Sequence, residues 1–328
     1  MLSIAAIWAG SGAFAYLDHA LFGYLGATLV ATFGSVYRLS AFWRRPASAF
    51  YARALGSALI APRRLAAVLA AAGRDLAAQR FIARRSRPRW AAHLLLSLGT
   101  VASFAITLPL VWGWMHFDAD GQDVYRIVVV GLPIGRFAIT GLFGWGMFHA
   151  LTLAAVAVVL GAGYFLGVRI RARRRPEIAT SFHLGPLLLL LAVALTGLAL
   201  PATHGRPDLF PLVARAHELA VVVLLIALPF SKLAHVLLRP LHLGAQVVRA
   251  AAASQCSCGA ALAPAAQQAA VARLLADRGF RFDGHQDCCP ACRRRQIAAA
   301  QATVLGAHFH PPLTGLRPHP GRRHEDAA

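Results

Sequence analysis

Long apolar stretches alternate with Arg-rich or polar segments along the first three quarters of the chain. The apolar stretches cover residues 20–37, 91–114, 141–168, 184–200 and 211–238. A helix needs about 20 predominantly apolar residues to cross a bilayer. The pattern therefore predicts an all-α integral membrane bundle of five transmembrane helices. A shorter run, 65–72, sits between Arg63, Arg64 and Arg74 and is too short to cross. It reads as part of an amphipathic helix lying on the membrane surface, inside a loop over 38–90. Ala13-Phe14-Ala15 mimics a signal cleavage site, but no Lys or Arg precedes it and another apolar run follows almost at once. A first span entering with the N-terminus outside is the better expectation.

Charge sharpens this picture. The 328 residues carry 33 Lys+Arg against 13 Asp+Glu, a formal net charge of +20, yet 58% are apolar and only 14% charged. That balance excludes a disordered basic tail and argues against a soluble nucleic-acid binder. Arginine also clusters by segment: 12 in 38–89, 5 in 169–175 and 11 in 239–323. The alternate segments hold only Arg126, Arg136, Arg206 and Arg215, together with Asp118, Asp120, Asp123 and Asp208. The positive-inside rule then places the N-terminus outside and the C-terminus in the cytoplasm. The basic segments would face anionic lipid headgroups.

Ionisable residues inside spans are costly and point to a functional site. His93, His149, His217 and His235 fall in the second, third, fifth and fifth spans. His217 and His235 lie five whole turns apart, so they share one face of the fifth helix, separated by about 27 Å. His93 is level with His235 near the cytoplasmic side, and His149 is level with His217 near the outer side. This predicts two bis-histidine haems b, an inner one held by His93 and His235 and an outer one held by His149 and His217. Gly99, Gly144, Gly146 and Gly161 are expected to let helices approach the flat cofactors. The competing reading is four structural histidines hydrogen-bonded across helices. His116, His183 and His204 fall at span ends and read as interfacial.

The fifth span contains Ala216-His217-Glu218-Leu219 and then Leu228-Pro229-Phe230-Ser231-Lys232-Leu233-Ala234-His235. This run resembles the last helix of the respiratory nitrate reductase gamma subunit. Arg89-Trp90-Ala91-Ala92-His93, with the basic stretch from Gln79 to Ser86 before it, is similar to the start of the second helix in heterodisulfide-reductase-associated membrane cytochromes b. Trp43-Arg44-Arg45-Pro46 resembles both families. The resemblance covers about residues 20–245. It departs at Ser103, where the gamma subunit has a second histidine on that helix, so His149 takes the outer position here.

The resemblance implies a bacterial or archaeal inner-membrane subunit that moves electrons between the quinone pool, menaquinone or ubiquinone, and cytoplasmic iron–sulfur or catalytic redox subunits. Asp18, His19, Glu218 and His116 are then candidate quinone contacts near the outer haem, with interfacial solvation as the alternative for each. Lys232 is the only lysine in the chain. It either meets a haem propionate or snorkels to the inner surface.

All five cysteines lie between Cys256 and Cys292. Cys256 and Cys258 form one knuckle, and Cys289-Pro290-Ala291-Cys292 looks like the second knuckle of a zinc ribbon. Cys288 is a further candidate ligand, and His285 is either a ligand or a loop histidine. An iron–sulfur cluster and free redox-active thiols are the alternatives to zinc. The chain thus divides into a five-span unit over 1–245, a Cys-rich cytoplasmic segment over 246–305 and a disordered tail over 306–328. The rival functions are a transporter or channel with a histidine proton or metal relay, and a metal or redox sensor.

Overall fold

The structure, a computed structural model, describes residues 2–173, 184–249, 253–280 and 286–306. His183, His285 and the 311–328 stretch lie outside the described residues, as does the side chain of His19. The chain divides into two compact units, Met1–Ala245 and Gln246–Ala328.

The first unit is mostly helical. Its helices are α1 Leu2–Gly10, α2 Phe22–Trp43, α3 Pro46–Ile60, α4 Pro62–Ala72, α5 Arg80–Ala83 and α6 Arg87–Val111. After a small sheet come α7 Leu142–Arg173, α8 Gly185–Thr203, α9 Phe210–Ala227, α10 His235–Leu238 and α11 His242–Arg249. Four helices are long and apolar enough to cross a membrane: α6, α7 (to Arg171), α8 and α9. Only 11–22% of their apolar windows is buried within the protein, so most of that surface faces outward, as lipid-exposed helices require. The 22-residue α2 is not among the four, because Gly, Ser, Thr and Tyr positions and Arg38 dilute its apolar content. It nevertheless packs along α9 in the same bundle.

Each long helix packs on its neighbour in sequence, α6 on α7, α7 on α8 and α8 on α9. Val158 of α7, Leu190 and Ala194 of α8 and Leu224 of α9 form one buried cluster. Ala27 and Ala31 of α2 meet Leu225 of α9 in another. The role expected for Gly99 and Gly161 is corrected. A Cβ on Gly99 would strike the carbonyl oxygen of Ala154, and one on Gly161 that of Ala92. These glycines seat α6 directly on α7, leaving no gap for a cofactor there. Gly144 packs on the Ala138 carbonyl, and Gly146 meets nothing.

The all-α expectation is also corrected. Residues between α6 and α7 form a three-stranded antiparallel sheet, β1 Met115–Ala119, β2 Val124–Val129 and β3 Leu132–Ala138. Val130 and Gly131, with φ of 52° and 77°, make the tight turn between β2 and β3, the geometry that matches strand twist. Phe117, Tyr125 and Phe137 pack with Phe148 of α7. Asp120 pairs with Arg126 at 2.6 Å and Arg136 at 2.8 Å, which accounts for both arginines of this segment.

The fifth apolar stretch is not one helix. Helix α9 stops at Ala227, and the chain turns through 228–231 into a 3₁₀ turn, Lys232–Ala234, and then α10. Pro229 has no N–H to continue the ladder and its ring excludes the helical approach. It is among the most deeply buried side chains, against Gly34 of α2, where a Cβ would lie 2.7 Å from the proline ring. The Ser231 hydroxyl accepts from Leu233 N at 3.2 Å and caps the new turn. The shared helical face inferred for His217 and His235 therefore does not exist.

Helices α3 and α4 meet at Ala61 with a bend of 115° and together are apolar enough for a broken span or re-entrant loop. The short run at 65–72 is thus helical, as its pattern implied, but it belongs to this bent pair.

In the second unit, β4 Ala253–Gln255 and β5 Ala261–Pro264 form a hairpin, followed by α12 Ala265–Ala276 and α13 Pro290–Val304.

Candidate metal and cofactor sites

Cys256, Cys258, Cys289 and Cys292 converge, with all four sulfurs within 4.8 Å of one another. Local folding explains this. Gly259, with φ of 83°, turns the β4–β5 hairpin, and Cys256 N donates to Ala260 O at 2.9 Å. Cys289 is the N-cap of α13, with Pro290 at the first helical position, and its sulfur accepts from Cys292 N at 3.4 Å. Cys289 N points at the Cys256 sulfur at 3.3 Å, tying the two knuckles together. Backbone N–H groups of Cys258 and Cys289 hold the Cys256 thiol down to about 6, so it is a ready thiolate. Hydrogen bonds from its sulfur to Cys258 and Cys289 push Cys292 up to about 12. The Cys292 thiol is thus the one whose proton a bound cation would have to displace.

Tetrahedral zinc with bonds of about 2.3 Å needs sulfur–sulfur edges of about 3.8 Å. The Cys258–Cys289 edge is 3.5 Å. The donor set fits a four-thiolate metal. Cys288 is outside the group, with its sulfur accepting from Gln296 Nε2 at 3.4 Å.

The four histidines share a different feature. His149 Nδ1 donates to the Trp145 carbonyl at 2.8 Å, and His235 Nδ1 donates to the Lys232 carbonyl at 2.7 Å. His217 Nδ1 lies 2.9 Å from Thr196 Oγ1, whose own hydroxyl donates to Ala192 O at 2.7 Å. With its proton on a carbonyl, the threonine oxygen is available to accept from the ring. His93 Nδ1 lies 2.7 Å from Gln79 Oε1. His149 and His235 thus carry the proton on Nδ1, because a backbone carbonyl only accepts. Among the described residues no hydrogen bond engages any of the four Nε2 atoms. A neutral imidazole fixed this way presents the Nε2 lone pair that iron requires.

Placement separates the pairs. His93 is near the start of α6 and its ring meets Phe165 edge-on at 6.1 Å; Leu96, three residues after it, and Leu233, two before His235, pack against the same buried cluster. Arg239 lies 4.0 Å over the Phe81 ring, binding the α10 end to α5. His149 and His217 each fall seven residues into their helices, but no described contact joins them. His149 is exposed and stacks on Trp145 at 4.6 Å, while His217 faces α8, where Gly197 admits its ring.

The remaining candidates have local explanations. Asp18 caps the turn at Ala20 with a 2.9 Å bond. Glu218 lies against Gly23 of α2, with Tyr24 nearby. Lys232 is exposed and contributes its backbone carbonyl rather than its ammonium to His235. His116 stacks on Tyr16 at 4.3 Å. Sequence reasoning missed Gln79 and Thr196, the side chains beside His93 and His217, because a lone polar residue carries no pattern, whether in a loop before α5 or on apolar α8. Comparison of the chain with protein-family models, curated proteins and solved structures finds no match.

Proposed function

We propose that this chain is a multi-pass membrane cytochrome b that moves electrons between the quinone pool and a cytoplasmic iron–sulfur redox subunit. The observation that carries the reading is a feature common to the four candidate histidines, each with Nδ1 beside an oxygen and Nε2 without a hydrogen bond among the described residues. The packing of Leu96 and Leu233, neighbours of His93 and His235, on one buried cluster near the Arg-rich end supports an inner haem there. His149 and His217, at equal depth from their helix starts, are the outer pair. Five spans are read by counting α2, with the N-terminus outside and the arginine-rich segments in the cytoplasm.

In this reading the chain supplies axial nitrogen ligands, fixes the ring tautomers and provides apolar surface that excludes water. A bound haem supplies the reversible one-electron chemistry of its iron. The four cysteines hold a structural zinc that folds the cytoplasmic segment, and its arginines face anionic lipid and an acidic partner surface.

The test is a reduced-minus-oxidised spectrum of the purified full chain after expression with ample haem. A b-type spectrum with two haems per chain is expected. A protein without haem under those conditions would overturn the cytochrome reading. Metal analysis of the same sample should give one zinc per chain; iron in its place, beyond the haem iron, would reassign the cysteine centre.

A further inference from the structure

We propose that Gln79 is a positioning residue that sets the tautomer and ligand strength of His93. The inference rests on the cytochrome reading for its consequence at the haem, but not for its geometry.

Gln79 is buried, only 7% exposed, in a chain where few polar side chains are. Its backbone is left-handed, with φ of 50°, a region that L residues other than Asn and Asp rarely adopt. That conformation lies between the π turn Gly73–Ala77 and α5, and it sends the side chain back toward α6. The preceding peptide is pinned by Trp90, whose Nε1 donates to the Ala78 carbonyl at 2.7 Å. Both the side chain and the peptide before it are therefore held from α6, by partners 12 to 18 residues further along the chain.

The direction of the hydrogen bonds follows from the partners. Ser97 Oγ donates to Leu94 O at 3.2 Å, so its oxygen is free to accept. Gln79 Nε2 donates to that oxygen at 2.6 Å. The amide oxygen is thereby turned to the ring, 2.7 Å from His93 Nδ1. An amide oxygen can only accept, so His93 Nδ1 is protonated and Nε2 holds the lone pair. With the amide reversed, Nε2 would carry the proton and His93 could not ligate a metal. Ser97 thus decides the orientation of Gln79, and Gln79 decides the tautomer of His93. Outer partners of this kind set both the basicity of a ligating imidazole and its grip on the metal.

Two readouts test this in the full chain in lipid. The first uses ¹⁵N-histidine solid-state NMR of haem-free protein, with the His93 signal assigned by its loss in His93→Ala. The wild type should show the Nδ1-protonated tautomer, and Gln79→Leu should shift it toward the Nε2-protonated form. The second is a redox titration of the haem-loaded protein. Gln79→Leu should lower retention of one haem about 10- to 100-fold. Gln79→Glu, which keeps an acceptor but adds charge, should retain both haems and stabilise the oxidised inner iron at least about tenfold, a fall of about 59 mV for one electron. Ser97→Ala should produce a mixed tautomer while leaving the fold intact, which covers the case in which Gln79→Leu does not fold. An Nε2-protonated His93 in the wild type, or full haem content with an unmoved potential in Gln79→Glu, would overturn the proposal. Absence of haem from the wild type overturns the cytochrome reading alone, because the NMR tautomer still decides the role of Gln79.

Discussion

Arg38 Nη1 donates a 2.6 Å hydrogen bond to the carbonyl of Pro229, joining α2 to the break after α9 across 191 positions of sequence. A proline break leaves carbonyls without ladder partners, and in a membrane each such group needs one. Gly34, one turn earlier on α2, clears space for the proline ring. The break is therefore held by two residues of a distant helix, and the position of His235 depends on both.

Replacing Gly34 by Val should destabilise the fold by about 1–3 kcal/mol through overpacking against Pro229. Arg38→Leu, which leaves the Pro229 carbonyl unpaired, should cost about 1–3 kcal/mol. Thermal unfolding in detergent measures both, and an unchanged midpoint for Gly34→Val would mean that α2 does not close on the break.

His93→Ala and His235→Ala should each remove one b-type haem and leave the other, since the proposed pairs lie at opposite ends of the bundle. The reduced-minus-oxidised spectrum should fall to about half in either case. A full spectrum in His235→Ala would show that the ligand assignment is wrong.

Thr196→Val keeps the shape of the α8 side chain but takes away the hydroxyl that meets His217 Nδ1. Haem retention at the outer position should fall about tenfold or more. Thr203→Val is the control, because that hydroxyl bonds only carbonyls of its own helix, Ala199 at 2.8 Å and Leu200 at 3.2 Å. Equal haem retention in the two variants would argue against a ligand role for His217.

Serine at Cys256, Cys258, Cys289 or Cys292 should abolish stoichiometric zinc, whereas Cys288→Ser should keep it, since its sulfur lies outside the group. A strong chelator applied to the wild type should release the metal and expose residues 253–306 to protease, while the helices before Ala245 stay intact. Structural zinc contributes on the order of 10 kcal/mol to small domains, so loss of the ion should unfold this one. A protease pattern unaffected by zinc removal would show that the hairpin and α13 fold without it.

Much of this was legible in the sequence for identifiable reasons. Apolar runs at 91–114, 141–168 and 184–200 became α6, α7 and α8 because a helix that satisfies its own backbone needs only length and apolar content. The cysteine spacing also carried over, since a hairpin knuckle and a helix N-cap each bring two sulfurs together through local geometry. The small sheet was overlooked because apolar content was weighed over windows of helix length. The β-branched and aromatic run Val124–Val129 and the Val130-Gly131 turn are short-range signals that such windows average away.

The fate of the fifth apolar stretch shows where sequence alone stops. Hydropathy counted Pro229 as one residue in a long run, but whether a proline kinks a helix or ends it depends on what receives its freed carbonyls and ring. Here Arg38 and Gly34 receive them. The sequence by itself determined the apolar helices, the arginine asymmetry and the four-cysteine donor set, because each follows from composition and spacing along the chain. Only the tertiary structure decided that α9 stops at Ala227, that Gly99 and Gly161 join helices, and that Gln79 and Thr196 meet His93 and His217. Those outcomes depend on side chains brought together from distant segments, where hydrogen-bond direction and close packing act over a few ångströms.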